Sequence, residues 1–300
     1  HQQGKTLAVR VEYPRQIAYD QWDTGAFDWA QLGKSVDVIK FPALPDPQAF
    51  VPEGKMDQLL GWATSQVNRQ KLQLVLSTRS VDRTGNNPAY VTYVEAMTPF
   101  TRVATEDGRT TFKPEEQIVF ALSTGSGGTN IMYDEGAHTY WYRYRDDRGQ
   151  EHIVWLENAD SLAHKLRRLA LHNLRGVAFQ HLLEEGNDTQ VWQVVDEFHT
   201  QTLPGNMDQF AVVWSIQDES GNSVENLTNP LSDPRLPWVA PKEAGEYTVV
   251  ASVSSDGGKS ATVSGQTVIE VAQAPEPTPA APTPTPEPTK EPEASPTPEP

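Results

Sequence analysis

Short apolar strands alternate with amphipathic helices along the first 80 residues, and this order restricts the fold more than any other feature. Three strands rich in β-branched and aliphatic residues are KTLAVRVEYP, GKSVDVIKFPAL and KLQLVLSTRS. The intervening helix, residues 56–70, carries an apolar stripe of Leu59, Leu60, Ala63 and Val67. A later helix at 158–176 leads into a fourth buried strand, GVAFQHLL. The pattern predicts parallel βα units.

A strand-rich insertion, about residues 81–156, separates the third strand from the later helix. It ends in a predicted hairpin, HTYWYRYRDDRGQEHIVWLEN, with DDRG as the turn. Because its aromatic residues alternate along a strand, only one face of that strand can be buried. The other face could stack on sugar rings, or it could pack the insertion onto the rest of the protein. The glycine-rich segment at 123–129 lacks the Lys of a phosphate loop and is predicted to be a hairpin loop.

The C-terminal third divides into a β-rich block and a low-complexity tail. Residues 191–272 contain several short alternating strands, with SDGG as a hairpin turn, and are predicted to form an Ig-like β-sandwich. Residues 273–300 are rich in Pro, Thr and Glu, and they cannot bury an apolar face. We expect a disordered, extended linker there.

Charge and composition exclude several classes of function. A formal net charge of −16 disfavours binding to nucleic acid or anionic lipid. No apolar run is long enough to predict insertion into a membrane. The chain has no Cys, and its seven His residues do not follow a metal-binding spacing, so we predict neither a metal site nor a cofactor.

The order and spacing of four segments resemble the C-terminal half of a glycoside hydrolase family 18 barrel, of the bacterial spore- and peptidoglycan-associated branch. The segments are WDTGAFDWAQLGKSVDVI, MDQLLGWATSQVNRQKLQLVLS, RGQEHIVWLENADSLAHKLRRLALHNLRGVAF and GNDTQVW. The resemblance covers about residues 5–195. It implies an α/β fold, a partial (βα)8 TIM barrel (strands five to eight) over residues 1–190, interrupted by the insertion. The Ig-like or PKD-like module would follow it.

The resemblance also implies a chemistry. In this family the acetamide group of an N-acetylated sugar is the nucleophile, and one Glu, which closes a D-x-x-D-x-D-x-E motif on strand four, is the general acid. That motif is absent from the 300 residues, so we predict no catalytic residue in this chain and expect strand four before His1. Strand six has Phe41 and Ala43 where the family carries Met and Tyr, and strand eight has Gln180 where it carries Trp.

Polar residues near the strand ends form the predicted substrate-binding site. We expect Phe41 and Gln180 to face into the barrel, and the site to comprise Glu12, Tyr13, Trp22, Lys40, Gln180 and His181. A structural ion pair between Arg10 and Glu12 would equally explain the polar residues of the first strand.

The function predicted from these features is that of a secreted or surface-located bacterial protein acting on chitin or peptidoglycan, both polymers that contain N-acetylglucosamine. An alternative is a non-catalytic carbohydrate-binding or cell-envelope protein with a degenerate barrel, and a third is a structural stalk. The expected partner is a polysaccharide, and the sequence does not predict an oligomeric state.

Overall fold

The computed structural model describes residues 4–123, 131–200 and 209–273 of the 300-residue chain. The predicted glycine-rich loop and the Pro-rich tail lie outside the described residues, except for Ser123 and Gln273. None of the helices in the described parts has the length and apolar composition needed to cross a membrane.

The described residues form nineteen strands and five α-helices. The first ten strands are β1 (Ala8–Arg10), β2 (Arg15–Ala18), β3 (Gln21–Asp23), β4 (Val38–Pro42), β5 (Leu72–Ser77), β6 (Ser80–Thr84), β7 (Asn87–Val91), β8 (Arg102–Thr105), β9 (Thr111–Phe112) and β10 (Gln117–Ser123). The others are β11 (Met132–Asp134), β12 (Thr139–Arg145), β13 (Glu151–Trp155), β14 (Gly176–Gln180), β15 (Ala211–Gln217), β16 (Ser223–Pro230), β17 (Arg235–Val239), β18 (Gly245–Ser254) and β19 (Val263–Val271). The helices are α1 (Trp29–Ser35), α2 (Lys55–Gln66), α3 (Tyr93–Met97), α4 (Ala159–Ala170) and α5 (Val191–Thr200).

An open parallel sheet is formed by the four strands that the sequence predicts, in the order β1-β4-β5-β14. The predicted parallel arrangement of these four strands is therefore confirmed. The register pairs Arg10 with Lys40, and Lys40 with Gln73. Because the strands are parallel, their carboxyl ends meet along one edge of the sheet, where sites in such folds are found.

The two faces of this sheet differ in polarity. Phe41 is fully buried on the helix side, where its ring meets the edge of Trp29 in α1 at 5.1 Å between centroids. Successive side chains alternate between faces, so Lys40 lies on the opposite, inner face. The prediction that Phe41 faces inward is wrong, because its apolar ring is needed in the core beneath α1. Phe179 packs against the same core, which leaves Gln180 on the inner face as predicted.

Part of the insertion forms an antiparallel sheet of its own, in the order β11-β12-β13-β6-β7. The predicted hairpin is confirmed, since β12 pairs antiparallel with β13. Its turn is closed by a 2.9 Å bond from the Gly149 amide to the Asp146 carbonyl. Tyr142 is buried, and Tyr140 and Tyr144 pack against the same core. Trp141, Arg143 and Arg145 of β12 therefore lie on the outer face, whereas Thr139 at the start of the strand is buried.

The remainder of the insertion shares its sheets with the C-terminal strands. Strand β10 pairs antiparallel with both β8 and β17, and β9 adds in parallel to the sheet β16-β15-β18-β19. A single cluster of buried residues, including Phe120, Trp214 and Leu236, joins the two segments. Strands before and after the predicted boundary at residue 190 thus share one core. The Ig-like character of this unit stays a prediction.

Residues 191–200 form helix α5, where the sequence predicts the start of a β-rich block. Val191 and Val194 are buried against the core of the parallel sheet, with Val195 and Phe198 packed beside them. This spacing is helical, and burial of that face explains why a helix forms here rather than a strand.

Candidate functional site

A cavity of about 320 Å³ lies at the carboxyl ends of the parallel strands. The ends of the parallel strands line one side, and strands β6, β7 and β13 of the antiparallel sheet line the other. A larger cavity, about 1100 Å³, lies between α4 and α5, away from the strand ends. The smaller cavity is the better candidate because it combines the expected position with converging polar and aromatic groups.

Four of the six residues predicted for the site line this cavity: Glu12, Tyr13, Gln180 and His181. Lys40 lies deeper along the inner face, two residues before the end of β4. Trp22 lies in β3 and packs against Trp62 of α2, with ring centroids 6.2 Å apart. The geometry therefore brings four of the predicted residues together and places Lys40 and Trp22 outside the lining. Their role in binding a substrate stays a prediction.

Arg10 bonds across the sheet. Its Nη2 atom donates to the Oε1 atom of Gln180 at 3.1 Å. The sequence suggested a structural pair between Arg10 and Glu12 as one explanation for these polar residues. In the described part of the chain, the partner shown for Arg10 is the amide of Gln180. Glu12 is exposed at the cavity wall, where its carboxylate can accept hydrogen bonds from a ligand.

A charged cluster holds His181 at the cavity wall. Arg79 forms a two-pronged ion pair with Glu184, with both N–O distances at 2.9 Å, and Glu184 lies 2.7 Å from Nδ1 of His181. The bond from Arg79 lowers the pKa of the Glu184 carboxyl, and His181 adds to that effect. His181 has a φ of 68°, an uncommon conformation for a residue with a Cβ. Sequence analysis missed Arg79 and Glu184, which have no local motif.

A buried ion pair lines part of the cavity. Lys165 of α4 donates to Glu157, and both residues are more than nine-tenths buried. The Lys165 ammonium also lies 5.2 Å from the centre of the Phe50 ring. Burial raises the pKa of Glu157, and the charge of Lys165 opposes that rise. Sequence analysis did not predict the pair, because Glu157 and Lys165 are eight residues apart and no motif indicates that they pair.

An aromatic row crosses the outer face of the antiparallel sheet and ends in the cavity. Register places five residues side by side, one on each strand: Met132, Trp141, Trp155, Val81 and Tyr90. The rings of Trp141 and Trp155 stack with centroids 5.5 Å apart and an interplanar angle of 30°. Trp155, Val81 and Tyr90 also line the cavity. The cavity therefore continues as an aromatic surface along the sheet.

The site contains no candidate metal centre among the described residues. No group of three or more His, Asp or Glu side chains in residues 4–123, 131–200 and 209–273 is arranged to hold an ion. The residues that line the cavity offer hydrogen-bonding groups, charged side chains and aromatic rings.

Comparisons with known proteins provide a second line of information. No protein-family model matches the chain. The chain is 26% identical over 187 residues to the cortical fragment-lytic enzyme of Bacillus subtilis (strain 168), which covers 60% of this chain. The match spans 39% of the length of that curated relative.

Two solved structures illustrate the structural similarity. The spore cortex-lytic enzyme SleL of Bacillus megaterium QM B1551 is 19% identical, with a TM-score of 0.45, over 65% of this chain and 42% of its own. A chitinase from Chromobacterium violaceum ATCC 12472 is 20% identical, with a TM-score of 0.48, over 67% of this chain and 57% of its own.

Proposed function

We propose that this chain forms part of the glycan-binding cleft of a glycoside hydrolase family 18-type protein that acts on a polymer containing N-acetylglucosamine. The observation that carries the proposal is the aromatic row, with Trp141 stacked on Trp155, which runs into a polar cavity at the carboxyl ends of parallel strands. Similarity to the cortical fragment-lytic enzyme of Bacillus subtilis supports the same class of substrate.

The side chains of this cleft suit a sugar polymer. A pyranose ring has an apolar face that stacks on an aromatic ring, and hydroxyl and acetamido groups around its rim. The row offers the rings, and the cavity offers a guanidinium at Arg10, a carboxylate at Glu12 and an amide at Gln180. Such polar groups fix the orientation of a bound ligand. In our proposal the described residues bind and orient the polymer, and no bond-breaking step is assigned to any of them.

A second candidate function is non-catalytic binding of the same polymers at the bacterial cell envelope. It is favoured by Ala43 and Gln180, which occupy positions where the family resemblance implies Tyr and Trp. Both functions imply a protein that meets its substrate outside the cell. They differ in whether the polymer is cleaved.

The proposal is tested by titrating the chain with chitin hexasaccharide and with peptidoglycan fragments in a calorimeter, and by assaying release of reducing sugars in parallel. We expect saturable binding that is lost or reduced at least tenfold in Trp141→Ala and Trp155→Ala. Trp192→Ala removes a Trp that is 51% exposed on α5, beside the other cavity, and should bind like the wild type. Binding without sugar release would favour the second function. Absence of binding to both polymers would refute the proposal.

A further inference from the structure

The loop after β14 fixes the position of His181 at the cavity wall. The backbone N–H of Glu184 donates to the His181 carbonyl at 3.0 Å, and Nδ2 of Asn187 donates to the same oxygen at 2.8 Å. At a φ of 68°, His181 has a backbone conformation that residues with a Cβ seldom adopt. Such conformations persist where surrounding contacts hold them, and they concentrate at functional sites. The contacts of this loop therefore favour one arrangement of His181.

Glu184 determines which ring nitrogen of His181 carries the proton. Its carboxylate accepts two hydrogen bonds from Arg79, one from Nε and one from Nη2, each at 2.9 Å. These bonds lower the pKa of the Glu184 carboxyl, which is therefore ionised at neutral pH. Oε1 of Glu184 lies 2.7 Å from Nδ1 of His181. Since an ionised carboxylate can only accept hydrogen bonds, the proton between these two atoms belongs to Nδ1.

The other ring nitrogen is left without a proton. A neutral imidazole has one N–H group, so Nε2 of His181 carries only a lone pair when Nδ1 holds the proton. No atom of residues 4–123, 131–200 or 209–273 is hydrogen-bonded to Nε2. His181 lines the cavity beside Gln180, whose Oε1 atom accepts from Arg10. The cavity wall therefore offers a hydrogen-bond acceptor that no described residue uses.

We propose that Nε2 of His181 accepts a hydrogen bond from an amide N–H of the ligand, and that Glu184 and Arg79 are positioning residues that keep Nε2 unprotonated. This inference rests on the proposed function and adds a regulation of the same site by pH. An amide N–H can only donate, so it loses its partner when acid places a proton on Nε2. Because imidazoles change charge between about pH 5 and 8, the ligand should bind more weakly at the acidic end of that range.

Other ionisable groups also face the cavity, and a matched variant separates their effect from that of His181. Asn, like His, occurs at positive φ more often than most residues, and its amide does not gain a proton in this range of pH. His181→Asn therefore preserves the backbone and removes the titration. The remaining groups, which contribute equally to both proteins, are Arg10, Glu12, Tyr13, Tyr90, Glu95, Glu157 and Lys165.

Calorimetric titration of the full chain with chitin hexasaccharide at pH 7.5 and at pH 5.5 tests the dependence on pH. We expect the Kd of the wild type to rise about three- to tenfold in acid, the range that one hydrogen bond supplies. The rise should be absent or clearly smaller in His181→Asn. An equal rise in the two proteins, or no rise in the wild type, would overturn the inference and leave the proposed function intact. No binding at either pH would refute the proposed function and the inference with it.

Glu184→Gln tests the positioning role while His181 stays in place. A Gln amide both donates and accepts, so it no longer forces the proton onto Nδ1. Nitrogen-15 NMR of the imidazoles at pH 7.5 distinguishes protonated from unprotonated nitrogens, and comparison with His181→Asn identifies the signals of His181. We expect an unprotonated Nε2 in the wild type and in the control Glu185→Gln, which neutralises the exposed neighbouring carboxylate, and a protonated fraction in Glu184→Gln and, to a smaller extent, in Arg79→Gln. A protonated Nε2 in the wild type would overturn the inference even if the hexasaccharide binds.

Discussion

Arg10 and Gln180 are hydrogen-bonded to each other at 3.1 Å, although they lie on opposite edge strands of the four-stranded sheet. In a flat sheet three strand spacings would hold these edges about 14 Å apart. Both side chains lie over the inner face, and the bond between them links the two edges across β4 and β5. Residues from β1 and β14 therefore line the same cavity.

The bond between Arg10 and Gln180 should contribute little to stability. Because Arg10 is exposed, we expect a coupling free energy of about 1 kcal/mol or less in a double-mutant cycle with Arg10→Met and Gln180→Met. Urea denaturation of the four proteins measures it. Gln180→Glu replaces the amide with a carboxylate and should raise the coupling at low salt. A coupling of several kcal/mol would show that the bond is structural rather than part of an accessible site.

The buried pair of Glu157 and Lys165 should behave in the opposite way. Removing one member leaves a charge without its partner in the interior, so Glu157→Gln or Lys165→Met alone should lower the free energy of unfolding by about 3–5 kcal/mol. The double variant should recover most of that loss, because neither charge then remains buried. Chemical denaturation is the measurement. Equal losses in the double and single variants would contradict this account.

The parallel sheet could be predicted from the sequence because its strands are short apolar runs that alternate with helices. The faces of the strands were harder to predict. Alternation shows that the side chains of Lys40 and Phe41 point to opposite faces of the sheet. Because both faces of a barrel strand are covered, the pattern does not reveal which of these two side chains faces the inside of the barrel. The contact between Phe41 and Trp29 decides the question.

Long-range pairings were not predictable for a different reason. The pairing of β10 with β17 depends on apolar faces of two segments that lie far apart in the chain. Neither segment contains a sequence motif that identifies the strand it pairs with. The same applies to the aromatic row. The alternation in YWYRYR indicated an exposed face, whereas the alignment of Trp141 with Trp155, and of Val81 with Tyr90, follows from register alone.

Acid should destabilise the fold through His164. Burial lowers the pKa of His164 to about 4, and its Nε2 atom lies 3.1 Å from the Phe50 carbonyl. In the unfolded chain its pKa is about 6.5, so the unfolded state binds the proton first as pH falls. The stability associated with keeping His164 neutral in the folded state is fully present above about pH 6.5. It is lost as the pH falls from there to about 4. The expected loss is up to about 3 kcal/mol.

The measurement is the free energy of unfolding in urea between pH 7.5 and pH 4 for the wild type and for His164→Gln. The Gln side chain keeps an N–H donor for the Phe50 carbonyl but does not titrate, so the pH dependence should be shallower in the variant. Other ionisable groups contribute equally to both proteins, and the difference between the two curves isolates His164. Parallel curves would contradict the prediction.

Residues 102–123 and 211–271 share one core. A destabilising substitution in one of these segments should therefore lower the stability of the other as well. Leu236 of β17 is fully buried and lies opposite Phe120 of β10. Leu236→Ala should cost about 2–5 kcal/mol and should accelerate amide hydrogen exchange in β10 as well as in β17. The matched control is Leu74→Ala, an equally buried Leu in the parallel sheet, which should instead accelerate exchange in β4 and β5. If exchange in β10 does not respond to Leu236→Ala, the C-terminal strands form an independent unit and the two segments only touch.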